Sequence, residues 1–224
     1  MIGQLIPVKT LSVQLIANVS QGLRKALKLP KECSTVGLIS TDCDDATYIA
    51  LDEATKAASV GVVYARSLYA GASNASTKLA GEVIGVLGGR NPSEVKSGLQ
   101  AACSALDSLG FRTANEEGDI VYLAHCVSRT GSYLSSLAHV PLGQPLAYLI
   151  APPVEAVVGL DAALKASDVE LKEFFAPPSE TNFAGGLLTG TQSACKAACD
   201  AFADAVRAVA ARPIDTGGMS HGIG

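Results

Sequence analysis

Tryptophan is absent, histidine is limited to three residues, methionine to two, and aromatic residues make up only 5 % of the chain. A large ligand held by stacking would find little to stack on, and a histidine-rich metal centre would lack ligands. Long apolar runs are missing too. The most apolar window, residues 140–164, is interrupted by Pro141, Pro145, Pro152, Pro153, Glu155 and Asp161, so no membrane span fits it. Lys9 falls inside the only apolar region near the N-terminus, and no basic start, apolar core and cleavage site follow in order, so no leader is expected. Basic charge is not concentrated anywhere: the 17 Lys and Arg residues are scattered singly and the net charge is -4, which argues against a nucleic-acid partner. Cys33, Cys43, Cys103, Cys126, Cys195 and Cys199 lack the dense spacing of a disulfide framework, and reduced thiols in the cytoplasm are expected.

What the chain does have is Ala, Val, Leu and Gly, which supply most of the 48 % apolar content. Small apolar residues favour thin, closely packed layers of helix and sheet with flat surfaces for protein contacts, rather than an aromatic-lined cavity for a large ligand. The 224 residues suit two domains of about 110. The sequence repeats itself accordingly. Residues 51–60 (LDEATKAASV) reappear as 160–169 (LDAALKASDV), 109 positions on. Residues 13–20 parallel 121–128, 37–40 parallel 147–150, and 93–101 parallel 193–201 with the lysine in register. A period this long means domain duplication. The implied division is 1–109 and 110–213, with 214–224 too poor in apolar residues to pack and read as a mobile tail.

Hydrophobic periodicity in the first copy gives a strand at 11–17, a helix at 21–28, a strand at 36–40, a short helix at 52–58, strands at 61–68 and 82–87, and a longer helix at 93–109. Asn91 and Pro92 form a cap and first turn for that last helix, after Gly88 and Gly89 turn the chain toward it. Mixed in this order, the elements imply an α+β fold, ferredoxin-like in outline, with one antiparallel-rich sheet per copy. Between the last two strands of each copy lies a loop rich in small polar residues, at 69–78 and 176–184.

Candidates for chemistry are few. His125 and His139 share no metal-ligand spacing and read as partly buried structural residues, while His221 falls in the tail. Cys195 and Cys199 share a helical face but have no further ligands, which makes them core. Residues 128–132 (SRTGS) lack the spacing of a phosphate-binding loop and read as a helix start. The cluster Asp42, Asp44 and Asp45, with Asp52 and Glu53 further on, is either a solvated surface turn or a cation-attracting site. Glu82, at the start of a strand, is a further acidic group that the fold could bring near.

The segments 37–56 (GLISTDCDDATYIALDEATK), 64–71 (YARSLYAG), 81–89 (GEVIGVLGG), 127–136 (VSRTGSYLSS) and 178–190 (PSETNFAGGLLTG) closely resemble the tandem-domain shell proteins of the ethanolamine-utilisation bacterial microcompartment. The resemblance runs up to Pro213. It implies two circularly permuted bacterial microcompartment (BMC) domains and a homotrimer with pseudo-hexameric symmetry that tiles with other shell proteins, located in the microcompartment shell within the cytoplasm. It further implies a gated central pore and one small channel per subunit. Carried onto this chain, the pattern assigns Asp44, Asp45, Glu82, Phe111 and Thr181 to the small channel, with ethanolamine as its ligand. The paired loops, through Tyr69, Gly71, Ser73, Asn74, Ser179, Glu180, Asn182 and Phe183, are the candidates for the gate, wide enough when open to pass cobalamin as cargo. The family implies no bound cofactor, no metal, no lipid contact and no catalysis. A soluble trimeric small-molecule sensor is the alternative, distinguished by its failure to form sheets, and an enzyme built on the acidic cluster is the third possibility.

Overall fold

The computed structural model describes residues 1–68, 83–177 and 182–214. The first half contains β1 (Thr10–Ile16), α1 (Gln21–Ala26), β2 (Thr35–Thr41), α2 (Asp44–Ala57), β3 (Val60–Ser67), β4 (Val83–Gly89) and α3 (Pro92–Leu106). Its four strands form an antiparallel sheet in the order β1-β2-β4-β3. The second half repeats the plan with β5 (Arg112–Thr113), β6 (Val121–Val127), α4 (Ser132–Leu137), β7 (Leu146–Ala151), α5 (Pro153–Ala166), β8 (Val169–Phe175), β9 (Ala184–Gly190) and α6 (Gln192–Ala211). That sheet has the order β5-β6-β7-β9-β8, again antiparallel. Residues 3–6 hydrogen-bond to residues 111–113, so the start of the chain lies along the edge of the second sheet.

Helix α3 begins as its sequence dictates: Asn91 Oδ1 accepts from the Glu94 amide at 2.9 Å, and Pro92 occupies the first turn. Helix α2 departs from the short helix expected at 52–58, because it starts at Asp44 and takes in the acidic run. A helix N-terminus presents free amides and the positive end of the dipole, so carboxylates there favour the helix. Asp44 Oδ1 accepts from the Asp45 amide at 2.9 Å, and the Thr41 and Thr47 hydroxyls, 2.7 Å apart, both donate to the Cys43 carbonyl beneath the turn.

Packing explains why so few large residues suffice. Helices α2 and α3 lie together on one face of the first sheet, over Ile39 and Leu87. A Cβ at Gly37 would lie 2.7 Å from both Leu99 and Val95, so glycine there lets α3 sit directly on the strand. The same continuous core also contains Leu123, Leu146, Tyr148, Ile150 and Leu187 from the second sheet. That sheet's other face, with Ala147, Leu149, Ala151 and Leu188, is covered by α5 and α6. Strand β7 is therefore buried on both faces, which its uninterrupted apolar sequence LAYLIA requires. The outer face of the first sheet carries only a small cluster around Val36 and Val86.

Cys195 and Cys199 are core residues on α6, and residues 128–132 lead into α4, as expected. His139 differs: it is exposed, with a left-handed φ of 53° just past α4, where the turn and not the core decides its place. His125, on β6, is partly buried, and burial pushes its pKa down against the pull of Glu53, with Lys56 adding to the depression. A histidine with a depressed folded pKa lends stability that is complete above its unfolded value and is lost as the pH falls below it. Stability should therefore decline on acidification below about 6.5, by at most roughly 1.36 kcal/mol per pH unit for this one proton. Urea titrations across that range check this, and His125→Gln should flatten the slope.

Candidate functional site

The two halves meet at the N-terminus of α2, and there the chain leaves a cavity of 280 Å³. Asp44 and Asp45 line it together with Tyr48, one helical turn on, so that all three project from one face of α2. Strand β3 contributes Ala65, Arg66 and Ser67. The second half supplies Tyr133 and Leu137 from α4, Tyr148 and Ile150 from β7, Phe175 from β8, and Phe183 with Ala184 at the start of β9. Asp44 and Asp45 are thus neither solvated nor on a turn, being 6 % and 7 % exposed on the helix, whereas Asp42 lies half-buried in the bend before it. Five aromatic side chains line the cavity, so the chain gathers its few rings around a small chamber, not around the large-ligand cavity that its composition argues against. Tyr48 and Tyr133 have ring centroids 6.1 Å apart, as do Tyr148 and Phe175.

Each carboxylate is held by named donors. Ser67 Oγ donates to Asp44 Oδ2 at 2.7 Å and lies 2.6 Å from the Tyr48 hydroxyl. Tyr148 donates to Asp45 Oδ1 at 2.9 Å. Burial, reinforced by the charge of Asp45, pushes the Tyr148 pKa far up, so the phenol keeps its proton and remains a donor. Tyr133 is also pushed up, first by burial and then by Tyr48. The result is a small chamber of aromatic and aliphatic side chains that also presents two carboxylates, hydroxyl groups and Arg66: chemistry suited to a small polar cation.

Phe111 stands behind this wall, its ring centroid 5.4 Å from that of Phe183. Phe183 itself lines the chamber, and the neighbouring Asn182 has a left-handed φ of 63°. Glu82, Thr181, Tyr69, Gly71, Ser73, Asn74, Ser179 and Glu180 lie outside the described residues. Sequence reasoning missed Tyr48, Tyr133 and Tyr148, half of the chain's six tyrosines. Tyr48 was within reach, because a helix started at Asp44 puts it on the acidic face. Tyr133 and Tyr148 lie more than eighty residues away and carry no local signal. Among the described residues no group of three or more His, Cys, Asp or Glu is placed to hold a metal, and no helix is long and apolar enough to cross a membrane.

A second constellation joins the halves beside the chamber. Asp52, fully buried, accepts from the Gly131 amide at 2.6 Å and the Leu134 amide at 2.8 Å, and so caps α4 from another helix. Thr55 Oγ1 accepts from the Ser132 amide at 3.0 Å, and Lys56 donates to the Arg129 carbonyl at 2.9 Å.

Comparison with known proteins places this architecture. The BMC domain family matches residues 35–115. The chain is 64 % identical over 213 residues to the bacterial microcompartment shell protein EutL of Clostridium perfringens, covering 95 % of this chain and 98 % of that one. It is 54 % identical to EutL of Escherichia coli, over 91 % of this chain and 93 % of that one. The crystal structure of EutL from Clostridium perfringens superposes with a TM-score of 0.94 at 63 % identity, covering 96 % of this chain and 99 % of that one. The chain belongs to the EutL family of bacterial microcompartment shell proteins, which are structural components of the shell and not enzymes.

Proposed function

We propose that this shell protein is the protomer of a trimeric tile in which the acidic chamber is a small channel, one per chain, that takes ethanolamine. The observation that carries this is the pairing of two buried carboxylates with a wall of phenol and phenyl rings in a cavity of 280 Å³, which takes a small amine with room for water beside it. The ammonium group would face Asp44 and Asp45 with ring faces beside it, and the alcohol would pair with a hydroxyl of the wall. Arg66 at the rim moderates the attraction, which a channel needs if the solute is to leave. Glu82, Phe111 and Thr181 complete this site in the proposal. Residues 69–78 and 176–184, six segments in a trimer, would surround the central pore, and ligand that binds the closed arrangement better would hold it shut. Open, the pore would pass a cofactor as large as cobalamin. The chain would divide near residue 109 into its two BMC units, each meeting other shell proteins at the tile's edge.

Calorimetric titration with ethanolamine tests the site. Asp45→Asn keeps an oxygen for Tyr148 but removes a charge, and should weaken binding at least about tenfold, or about 1.4 kcal/mol. Propanol, which has no ammonium, should not bind to the wild-type chain. Equal affinity of wild type and Asp45→Asn would remove the chamber as the ethanolamine site.

A further inference from the structure

The chamber of 280 Å³ has room for several waters beside ethanolamine, since one water in the liquid takes roughly 30 Å³. Its rings come from both halves of the chain and stand in pairs about the carboxylates. Tyr48 shares one face of α2 with Asp44 and Asp45 and leans on Tyr133, their ring planes 50° apart. Tyr148 reaches Asp45 with its hydroxyl and leans on Phe175, the planes 38° apart, and Phe183 adds another ring. The carboxylates themselves are already engaged: Asp44 Oδ1 accepts from the Asp45 amide, Asp44 Oδ2 from Ser67 and Asp45 Oδ1 from Tyr148. A primary ammonium brings N–H donors that all require acceptors once water is stripped away, and these oxygens have fewer lone pairs left for them. A methylated ammonium makes no such demand. It is held by ring faces and by the field of carboxylates that it need not touch as a donor.

We propose that the chamber takes N-methylated amino alcohols up to the quaternary ammonium choline, at least as tightly as ethanolamine, with the methyl groups against its rings and the alcohol on Tyr133. Methyl groups would replace loosely held water along the aromatic wall, an exchange that favours binding. The Tyr133 hydroxyl lines the chamber and makes no hydrogen bond with another described residue. Burial pushes its pKa up, so it keeps its proton and can meet the alcohol as donor or acceptor. Among the described lining residues two carboxylates are set against one guanidinium, Arg66, a balance that suits a single positive charge. This rests on the chamber being the ethanolamine site and widens the class of ligand that the site admits. As a channel, the chain would then select for positive charge and an alcohol, not against substitution at nitrogen.

Calorimetric titration of the wild-type chain tests this with ethanolamine, its dimethylated form, choline, and the uncharged isostere of choline in which carbon replaces nitrogen. Affinity should hold or rise along the three cations, and the isostere should bind at least about tenfold more weakly than choline. Tyr48→Leu keeps an apolar wall but removes a ring face, and should weaken choline about tenfold in a chain that circular dichroism shows to be folded. Choline bound more weakly than ethanolamine, or no more tightly than its isostere, would overturn the wider class and leave the ethanolamine site standing. Unchanged choline affinity in folded Tyr48→Leu would overturn the part given to the rings. Failure of both ethanolamine and choline to bind would overturn the chamber as an amine site altogether.

Discussion

Replacing Asp52 by alanine is expected to destabilise the chain by about 3 kcal/mol or more, because one partner of a buried, hydrogen-bonded charge is removed. For a chain of this length that is a fall in Tm of roughly 6–12 °C. The loss has two parts. The Gly131 and Leu134 amides, held at 2.6 and 2.8 Å, would be left buried without an acceptor. Lys56, 3.6 Å from the carboxylate, would keep only its contacts to Glu53 and the Arg129 carbonyl. Helix α4 has just six residues and a glycine at its N-cap, so it has no side chain of its own to replace Asp52. Burial pushes the Asp52 pKa up, while the two amides and Lys56 pull it partly back. A carboxyl with a raised folded pKa lends most stability when protonated and loses it as the pH rises through that value. At neutral pH the charge itself is therefore costly and the hydrogen bonds are what hold. Asp52→Asn, which keeps one acceptor and drops the charge, should cost half as much as Asp52→Ala or less. Thermal unfolding of both variants decides this, and a loss for Asp52→Ala within about 0.5 kcal/mol of zero, the range of an ordinary surface change, would show that α4 is held by packing alone.

The duplicated plan was legible because each copy keeps its local signals. The strands at 61–68 and 36–40, the Asn91 cap and the core cysteines of α6 were placed to within two residues. The start of α2 is not legible in this way, because repulsion among neighbouring carboxylates hides the helix amides that receive them. The chamber was half legible. Asp44 and Asp45 came from resemblance and acidity, but the rings opposite them come from the second copy, and the sequence shows periodicity within a copy, not the docking of one copy on another. Aromatic content does not reveal the chamber for a related reason: composition averages over the chain, whereas the fold gathers Tyr48, Tyr133, Tyr148, Phe175 and Phe183 at one place.

The α2 residues that meet the second half are only partly shared by the two copies. Asp45, Tyr48 and Thr55 of α2 became Val154, Val157 and Leu164 of α5, whereas Asp52 and Lys56 kept their identity as Asp161 and Lys165. The polar version of the face is the one enclosed within the chain, where its donors and acceptors are matched by Tyr148 and the start of α4. Unpaired polar groups are costly to bury, so polarity on α2 suits a contact whose partners are always present within the chain.

The other large effect is expected at Phe202, where Phe202→Ala should cost about 3–5 kcal/mol, the usual price of emptying a buried aromatic site. The ring is fully buried and lies against Gly159: a Cβ added there would stand 2.7 Å from Cδ2 and 2.8 Å from Cε2. Glycine at 159 is thus the space into which the ring fits as α5 crosses α6. In the first half the equivalent positions are Ala50 and Ala102, both fully buried, so the two copies fill one helix crossing in two ways. Gly159→Ala alone should cost about 1–3 kcal/mol by overpacking against the ring. Combined with Phe202→Ala it reproduces the alanine pair of the first half, and the double variant should be more stable than the sum of the single losses predicts, by about 1 kcal/mol or more. Urea unfolding of the four chains measures that coupling. Additive losses would mean that the second half has lost the alternative packing its sister copy still uses.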